Sequence, residues 1–321
     1  MKFHRRDFLR LAAGAAALPA LRAAALAQSY PSHALRLVVG YAAGGAADIM
    51  ARLVGEWLSR RLGQPVVIEN RPGGGNRVGA EVALRAPADG YTLFMAASAN
   101  VITTQHETVD FVRDSAAIAM VGQEPIILSV NPSLPPTTLA EFIAYAKAHP
   151  GQLAMASPGV GTLPHVAGEL FKIMAGVEMT HVPYRGGAPA LTDLMSGQVE
   201  VAFMGPAASM GFIRSKKIRP LAVTSDLRAA VLPDVPTIGE VVPGYEASQW
   251  FGVVAPKNTA PDIVARLNHE IDQGLADPAL KARLENLGET VVARSSADFA
   301  KRIVADADKW ANVIRRAGIS I

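Results

Sequence analysis

The chain has 321 residues, of which 50% are hydrophobic, 18% charged and 6% aromatic, with no cysteine and a formal net charge of +3. This composition excludes a disordered chain and a disulfide scaffold, and the missing thiol also removes Fe–S clusters, thiolate zinc sites and cysteine nucleophiles. A chain of this length with half its residues apolar can bury two medium cores, so two domains are expected.

The positive charge sits at the amino terminus and carries no nucleic-acid signal. Residues 1–27 hold Lys2, Arg5, Arg6, Arg10 and Arg22 against Asp7, so without them the chain has 26 basic and 27 acidic residues. That segment opens H-R-R-D-F-L-R, continues through the weakly apolar run Leu11 to Leu21 and reaches Ala25-Leu26-Ala27. A twin arginine, an apolar stretch and an A-x-A site together read as a twin-arginine export signal, residues 1–27. A membrane anchor is the competing reading, but Gly14 and Pro19 interrupt the run, which is shorter than the roughly 20 residues a span needs. No later stretch is apolar enough to cross a membrane, so a non-spanning, exported mature protein is expected.

Short β-branched runs then alternate with helical patterns, the signature of βαβ units. Leu35 to Val39 reads as a strand, followed by Y-A-A-G-G-A-A-D (41–48) and a helix from Asp48 to Leu62 that Gly63 stops. Pro65 to Glu69 is the next strand, then the loop R-P-G-G-G-N, a helix from Arg77 to Arg85 and a strand from Tyr91 to Ala97. The second set comprises a strand Ile126 to Val130, a helix Leu139 to Ala148, a strand Leu153 to Ser157 and a helix Leu163 to Ala175. It continues with a strand Thr180 to Tyr184, a helix Pro189 to Ser196 and a strand Val199 to Met204. Ile218 to Thr224 and Phe251 to Val254 read as further strands, and from Asp262 the chain is largely helical, ending in the amphipathic stretch Ala297 to Ala317.

Two stretches, Tyr41–Asp48 and Ser157–His165, each carry a strand into a glycine-rich turn that opens a helix. Such a turn aims unpaired N–H groups and the positive helix end at one point and lets a ligand approach the backbone, which suits an anion. An ordinary βα turn explains either one alone; a pair facing each other across two domains favours a site. G-G-G-N-R-V-G (73–79) approaches the dinucleotide fingerprint but has its last glycine one residue late and no acidic residue on a following strand end. M-A-S-P-G (155–159) approaches the hydrolase elbow with Met155 in place of glycine. The seven histidines contain no H-x-x-x-H pair, so no metal site and no cofactor are expected.

Seven segments together carry a family resemblance: L-V-V-G-Y-A-A-G-G-A-A-D (37–48), R-L-G-Q-P-V-V-I-E-N-R-P-G-G-G-N (61–76), D-G-Y-T-L (89–93), G-V-G-T-L-P-H-V-A-G-E-L-F (159–171), M-T-H-V-P-Y-R-G-G-A-P-A-L-T-D-L-M-S-G-Q-V (179–199), R-P-L-A-V-T-S (219–225) and L-P-D-V-P-T (232–237). The sequence resembles the solute-binding proteins of tripartite tricarboxylate transporters, the Bug-type family, over essentially the whole mature chain. The resemblance implies an α/β fold of the two-domain periplasmic-binding-protein kind (Venus flytrap, type II-like) with mostly parallel sheets. Residues 28–124 plus 254–321 would form the first domain and 125–253 the second, with crossings near Gln123–Pro125 and Ser248–Val254.

It also implies a small carboxylate held between the domains by loop amides, without a cofactor, and delivery to membrane permease subunits of such a transporter; an orphan scavenging or signalling role fits equally. Matched residue by residue, the first loop supplies Tyr41, Ala43, Gly44, Gly45, Ala46 and Asp48, with Asp48 capping the helix rather than touching the anion. Ser98 and Asn100 match a polar loop at a strand end. Ser157, Gly161, Thr162 and His165 match the second loop, with Thr162 as an N-cap. Tyr184 and Arg185 match the family's V-P-Y-K/R-G, Arg185 being either a ligand contact or a solvated rim charge. Hydroxyl residues are frequent in the family where Ala46 and Ala47 stand, and Asp-Asn where Met204 and Gly205 stand, so a plain or partly apolar carboxylate is expected rather than an aminated one. An exported hydrolase using the same cleft is the alternative, with Ser157 near His165 as its only candidate pair.

Overall fold

Strands buried on both faces need apolar residues at successive positions, and Leu37, Val38 and Val39 are each fully buried, odd and even side chains entering different cores. The computed structural model describes residues 30–73, 76–103, 109–184 and 186–319; the leader, Gly74, Gly75 and Arg185 lie outside them. Ten strands form two five-stranded sheets: β1 (Leu35–Val39), β2 (Val66–Asn70), β3 (Thr92–Ala97), β4 (Ser115–Pro125) and β10 (Ser248–Pro256) in one, β5 (Ile127–Val130), β6 (Leu153–Ser157), β7 (Met179–Pro183), β8 (Val201–Met204) and β9 (Arg219–Val223) in the other. The orders, β2-β1-β3-β10-β4 and β7-β6-β8-β5-β9, are equivalent. In each sheet four strands run one way, while β10 and β5 run antiparallel to both of their neighbours.

Those two reversed strands are the ones entered directly from the other sheet. β4 ends at Pro125 and β5 begins at Ile127 opposite Met204, the last residue of β8; β10 begins at Ser248 opposite Pro125. Both crossings therefore lie at the carboxyl ends of the parallel strands, and the two carboxyl-end edges are brought together. The buried Thr224 clasps the crossings, its hydroxyl accepting from the Ile126 N–H (2.8 Å) and donating to the Ala247 carbonyl (2.6 Å).

Eleven helices occur among the described residues. In the first domain they are α1 (Ala46–Leu62), α2 (Arg77–Leu84), α3 (Ala99–Thr103) and α4 (Phe111–Asp114). The second has α5 (Leu139–Ala148), α6 (Leu163–Ala175), α7 (Gly187–Ser196) and α8 (Pro206–Arg214), and the tail has α9 (Pro261–Ala276), α10 (Pro278–Glu285) and α11 (Ser296–Ala317). α1, α9 and α10 cover one face of the first sheet and α2 and α11 the other. α11 also packs on α6, so one apolar cluster runs through both domains.

The expected elements are present, four of them with the same end residues: β1, α5, β6 and α6. The periodicity reading missed β4 and α8. β4 reads S-A-A-I-A-M-V-G-Q-E-P, whose alanines favour helix in isolation; packing against β10, α9 and α11 overrides that preference. The expected boundary at 253 is corrected, because Ser248 to Val253 lie on β10 in the first sheet. The last glycine of G-G-G-N-R-V-G has a packing role: Gly79 lies in the first turn of α2, and a Cβ there would lie 2.5 Å from the Gly40 Cα, so this glycine seats the helix against the end of β1. Thr224→Val keeps the shape but orphans the Ile126 N–H and Ala247 carbonyl; a loss of about 1–3 kcal/mol in denaturant unfolding is expected, and an unchanged midpoint would show the clasp carries no stability.

Candidate functional site

Ligands of open α/β sheets sit outside the carboxyl ends of the strands, and here two such edges meet. The first sheet contributes the turn between β1 and α1. Residues 42–46 of that turn are exposed, and α1 starts at the N-cap Gly45 with no side-chain cap, so its first amides are open. Asp48 is buried and holds the turn: it accepts from the Gly44 N–H (2.9 Å), from the Arg52 guanidinium on both oxygens and from the Asn70 amide. Burial pushes its carboxyl up, but the Arg52, Gly44 and Asn70 bonds outweigh that and hold it below the usual range. Asp48 thus spends the Gly44 amide on the fold and leaves those of Gly45 and Ala46 open. The Tyr41 hydroxyl has no partner among the described residues, and burial pushes it up to about 12, so it stays a neutral donor.

Further along that edge, the buried Ser98 follows β3 with its hydroxyl unpartnered, and the Ser248 hydroxyl at the start of β10 is likewise unpartnered. Asn100 plays a different part. Its Oδ1 accepts from the Ala97 N–H and from the Asn76 amide, which ties the β3 turn to the start of α2.

The second sheet presents the starts of α6, α7 and α8. Thr162 is the expected N-cap of α6, its hydroxyl accepting from the His165 N–H and donating to the Gly159 carbonyl. α7 and α8 start at Gly186 and Gly205 without side-chain caps. Three of the expected contact residues turn away from the cleft. His165 is buried, its Nδ1 accepting from the Gly161 N–H (3.1 Å), and its ring stacks on His181 at 3.7 Å. Tyr184 donates to Asp193 on α7 (2.7 Å), and Met204 is buried in the small core under α7. Arg185 lies outside the described residues.

The Ser157 and His165 pair does not form. Ser157 is fully buried and hydrogen-bonds His181 Nε2 at 2.7 Å, because parallel pairing of β6 with β7 brings His181 beside it. A buried hydroxyl offers no nucleophile to a cleft. Missed by the sequence reading were the open starts of α7 and α8 and Glu124, which lies at the end of a strand that local periodicity does not show.

The description that matches residues 50–319 is a tripartite tricarboxylate transporter family receptor. The chain belongs to that family. The Bordetella pertussis protein BugT is 34% identical over 302 residues, covering 92% of each chain. Among solved structures, R. palustris Rpa4515 with adipate superposes with a TM-score of 0.74 at 36% identity, covering 91% of this chain and 99% of that one. MatC (Rpa3494) from Rhodopseudomonas palustris with bound malate gives 0.70 at 30% identity, covering 89% and 100%. The chain is thus an extracytoplasmic solute-binding receptor of the Bug type and not a hydrolase, and among its described residues no helix is long and apolar enough to cross a membrane.

His165 and His181 give the receptor an acid-labile point. Burial, then the neighbouring ring and Lys172, push His165 down to about 4; burial and Lys172 push His181 to about 4. Both are neutral when folded, while the unfolded chain takes up protons near pH 6.5, so their contribution is complete above about 6.5 and is lost as pH falls through 4. The urea midpoint is expected to drop as pH falls across that window, and His181→Gln is expected to flatten the slope; an equal slope in the variant would refute the assignment.

Proposed function

We infer that the receptor captures a small carboxylate between its two domains and presents it to the membrane permease subunits of a tripartite transporter. The observation that carries this reading is the convergence of uncapped helix starts, those of α1, α7 and α8, on the two facing carboxyl-end edges. Each such start favours an anion by about 0.3–1 kcal/mol when exposed and up to ~2 when partly buried, so closing the domains over the ligand strengthens all of them together. The open amides of Gly45 and Ala46, the Tyr41 and Ser98 hydroxyls and the turn carrying Gly161 and Thr162 are the proposed contacts. Asp48, Asn100, Ser157, His165 and Tyr184 shape those turns from behind.

Adipate on one relative and malate on another support an aliphatic dicarboxylate as the ligand class. Ala46 and Ala47 add no hydroxyl to the first turn, which suits a ligand with a methylene chain. Export is proposed to run through the twin arginine Arg5-Arg6.

Thermal unfolding against mono-, di- and tricarboxylates, aromatic acids and amino acids tests this reading. A ligand at 100 times its dissociation constant adds roughly 2.7 kcal/mol, and the shift is expected with dicarboxylates, adipate and malate among them. No shift with any acid would overturn the carboxylate assignment. Exchanging Arg5 and Arg6 for lysine is expected to leave the protein unexported; normal export would refute the twin-arginine route.

A further inference from the structure

The last turn of chain before the first crossing holds a carboxyl that the anion site, as described above, does not explain. Glu124 is the residue before Pro125 at the carboxyl end of β4, and its Oε1 lies 3.8 Å from where a side chain on Gly205 would begin. Gly205 is the uncapped N-cap of α8 and Pro206 occupies the first helical position, so an acid of the first domain meets an open helix start of the second. Two residues earlier on the same face of β4, Gly122 makes room for Glu289: a Cβ there would fall 3.0 Å from Glu289 Oε2. Glu289 is 3% exposed, and neither of its carboxyl oxygens has a hydrogen-bond partner among the described residues. The turn that carries it also reaches α8, since a Cβ on Gly288 would be 3.8 Å from the Pro206 Cβ.

Among the described residues no cation offsets this pair. Gln249 on β10 stands opposite Glu124, Gln123 is bonded to Asp226, and the start of α8 contributes only Gly205 and Pro206. Burial pushes Glu124 up to about 7; burial and the Glu124 charge push Glu289 well above the carboxylate range. Glu289 is therefore the member of the pair that keeps its proton, and Glu124 is the one that exchanges its proton near neutrality. A deprotonated Glu124 would repel an anion at the start of α8, whereas a protonated one donates to it.

Resting on the carboxylate reading above, we propose that the Glu124 carboxyl, in its protonated form, donates a hydrogen bond to a carboxylate of the ligand held at the first-turn amides of α8. Binding then takes up a proton, and ligand affinity is tied to the acidity outside the cell membrane. The pair also sets specificity. A carboxylate is accepted only with its proton partner, and an ester or amide at that end of the ligand loses the charge that the helix start favours.

Calorimetry on the full chain with adipate and malate, from about pH 6 to about pH 9 in buffers of different ionisation heat, tests the proposal. Proton uptake is expected, with the dissociation constant rising about tenfold per pH unit once Glu124 ionises in the free protein. Glu124→Gln, which donates without titrating, is expected to bind at low pH and to flatten the profile. A flat wild-type profile, or the same slope in Glu124→Gln, would overturn the proposal while leaving the carboxylate reading intact. Proton release, with aspartate binding more tightly than malate, would instead make the pair an ammonium site. Should neither acid bind at any pH, the carboxylate reading falls, and carbon NMR titration of the free protein still decides the pair: two ordinary glutamate titrations would overturn it.

Discussion

The receptor depends on two reversed strands. Because β5 and β10 are each entered from the opposite sheet, the chain can pass between domains only at the carboxyl ends of the parallel strands, and the same edges carry the helix starts. Hinge and site are therefore one region. Thr224 holds the crossings side by side with a single hydroxyl that both accepts and donates, and it does so from a fully buried position where the alternative is two orphaned backbone groups.

α11 supplies the second restraint. Its Asp306 accepts from the Trp250 indole on β10 and from Arg302, while Arg302 and Lys309 both reach Glu246, just before the second crossing. Burial would push Glu246 up, but Lys309 and Arg302 hold it down to about 2, so the group is charged throughout the physiological range. Such a buried network contributes little net stability compared with an apolar core, yet removing one partner leaves an uncompensated charge. Its position explains its form: hydrogen-bonded ion pairs have strict geometry, and these fix Glu246, just before the second crossing, against α11.

Inside the cleft, polar groups divide by whether the fold has used them. Asp48, Asn100, Thr162, His165 and Tyr184 have partners that fix turns, and the turns in turn aim backbone amides outward. The Tyr41, Ser98 and Ser248 hydroxyls and the Glu289 carboxyl have none among the described residues. On the reading proposed above, recognition is written in backbone and in a few orphaned donors, so side-chain identity says little about the ligand. The glycines at 45, 186 and 205 would then matter as places where no side chain stands between ligand and amide.

Local pattern was enough for most of this. Strand and helix periodicity located nearly every element, Gly63 and Gly197 marked helix ends, and Thr162 before a helical run was legible as a cap, since all of these are decided within a few residues of chain. β4 was not legible, because its alanines become a strand only when β10 and two helices close on them. Nor were the partners of Ser157 and His165: eight residues separate them in sequence, and it is the pairing of β6 with β7 that gives His181 to both. The carboxyl pair of Glu124 and Glu289 lies farther still from local reach. Sequence alone determined the alternation, the glycine turns and the family; tertiary structure decided which polar atoms the fold consumes and which it leaves unpartnered, because that depends on contacts between separate segments, 24 residues apart for Ser157 and His181 and 98 for Ile126 and Thr224.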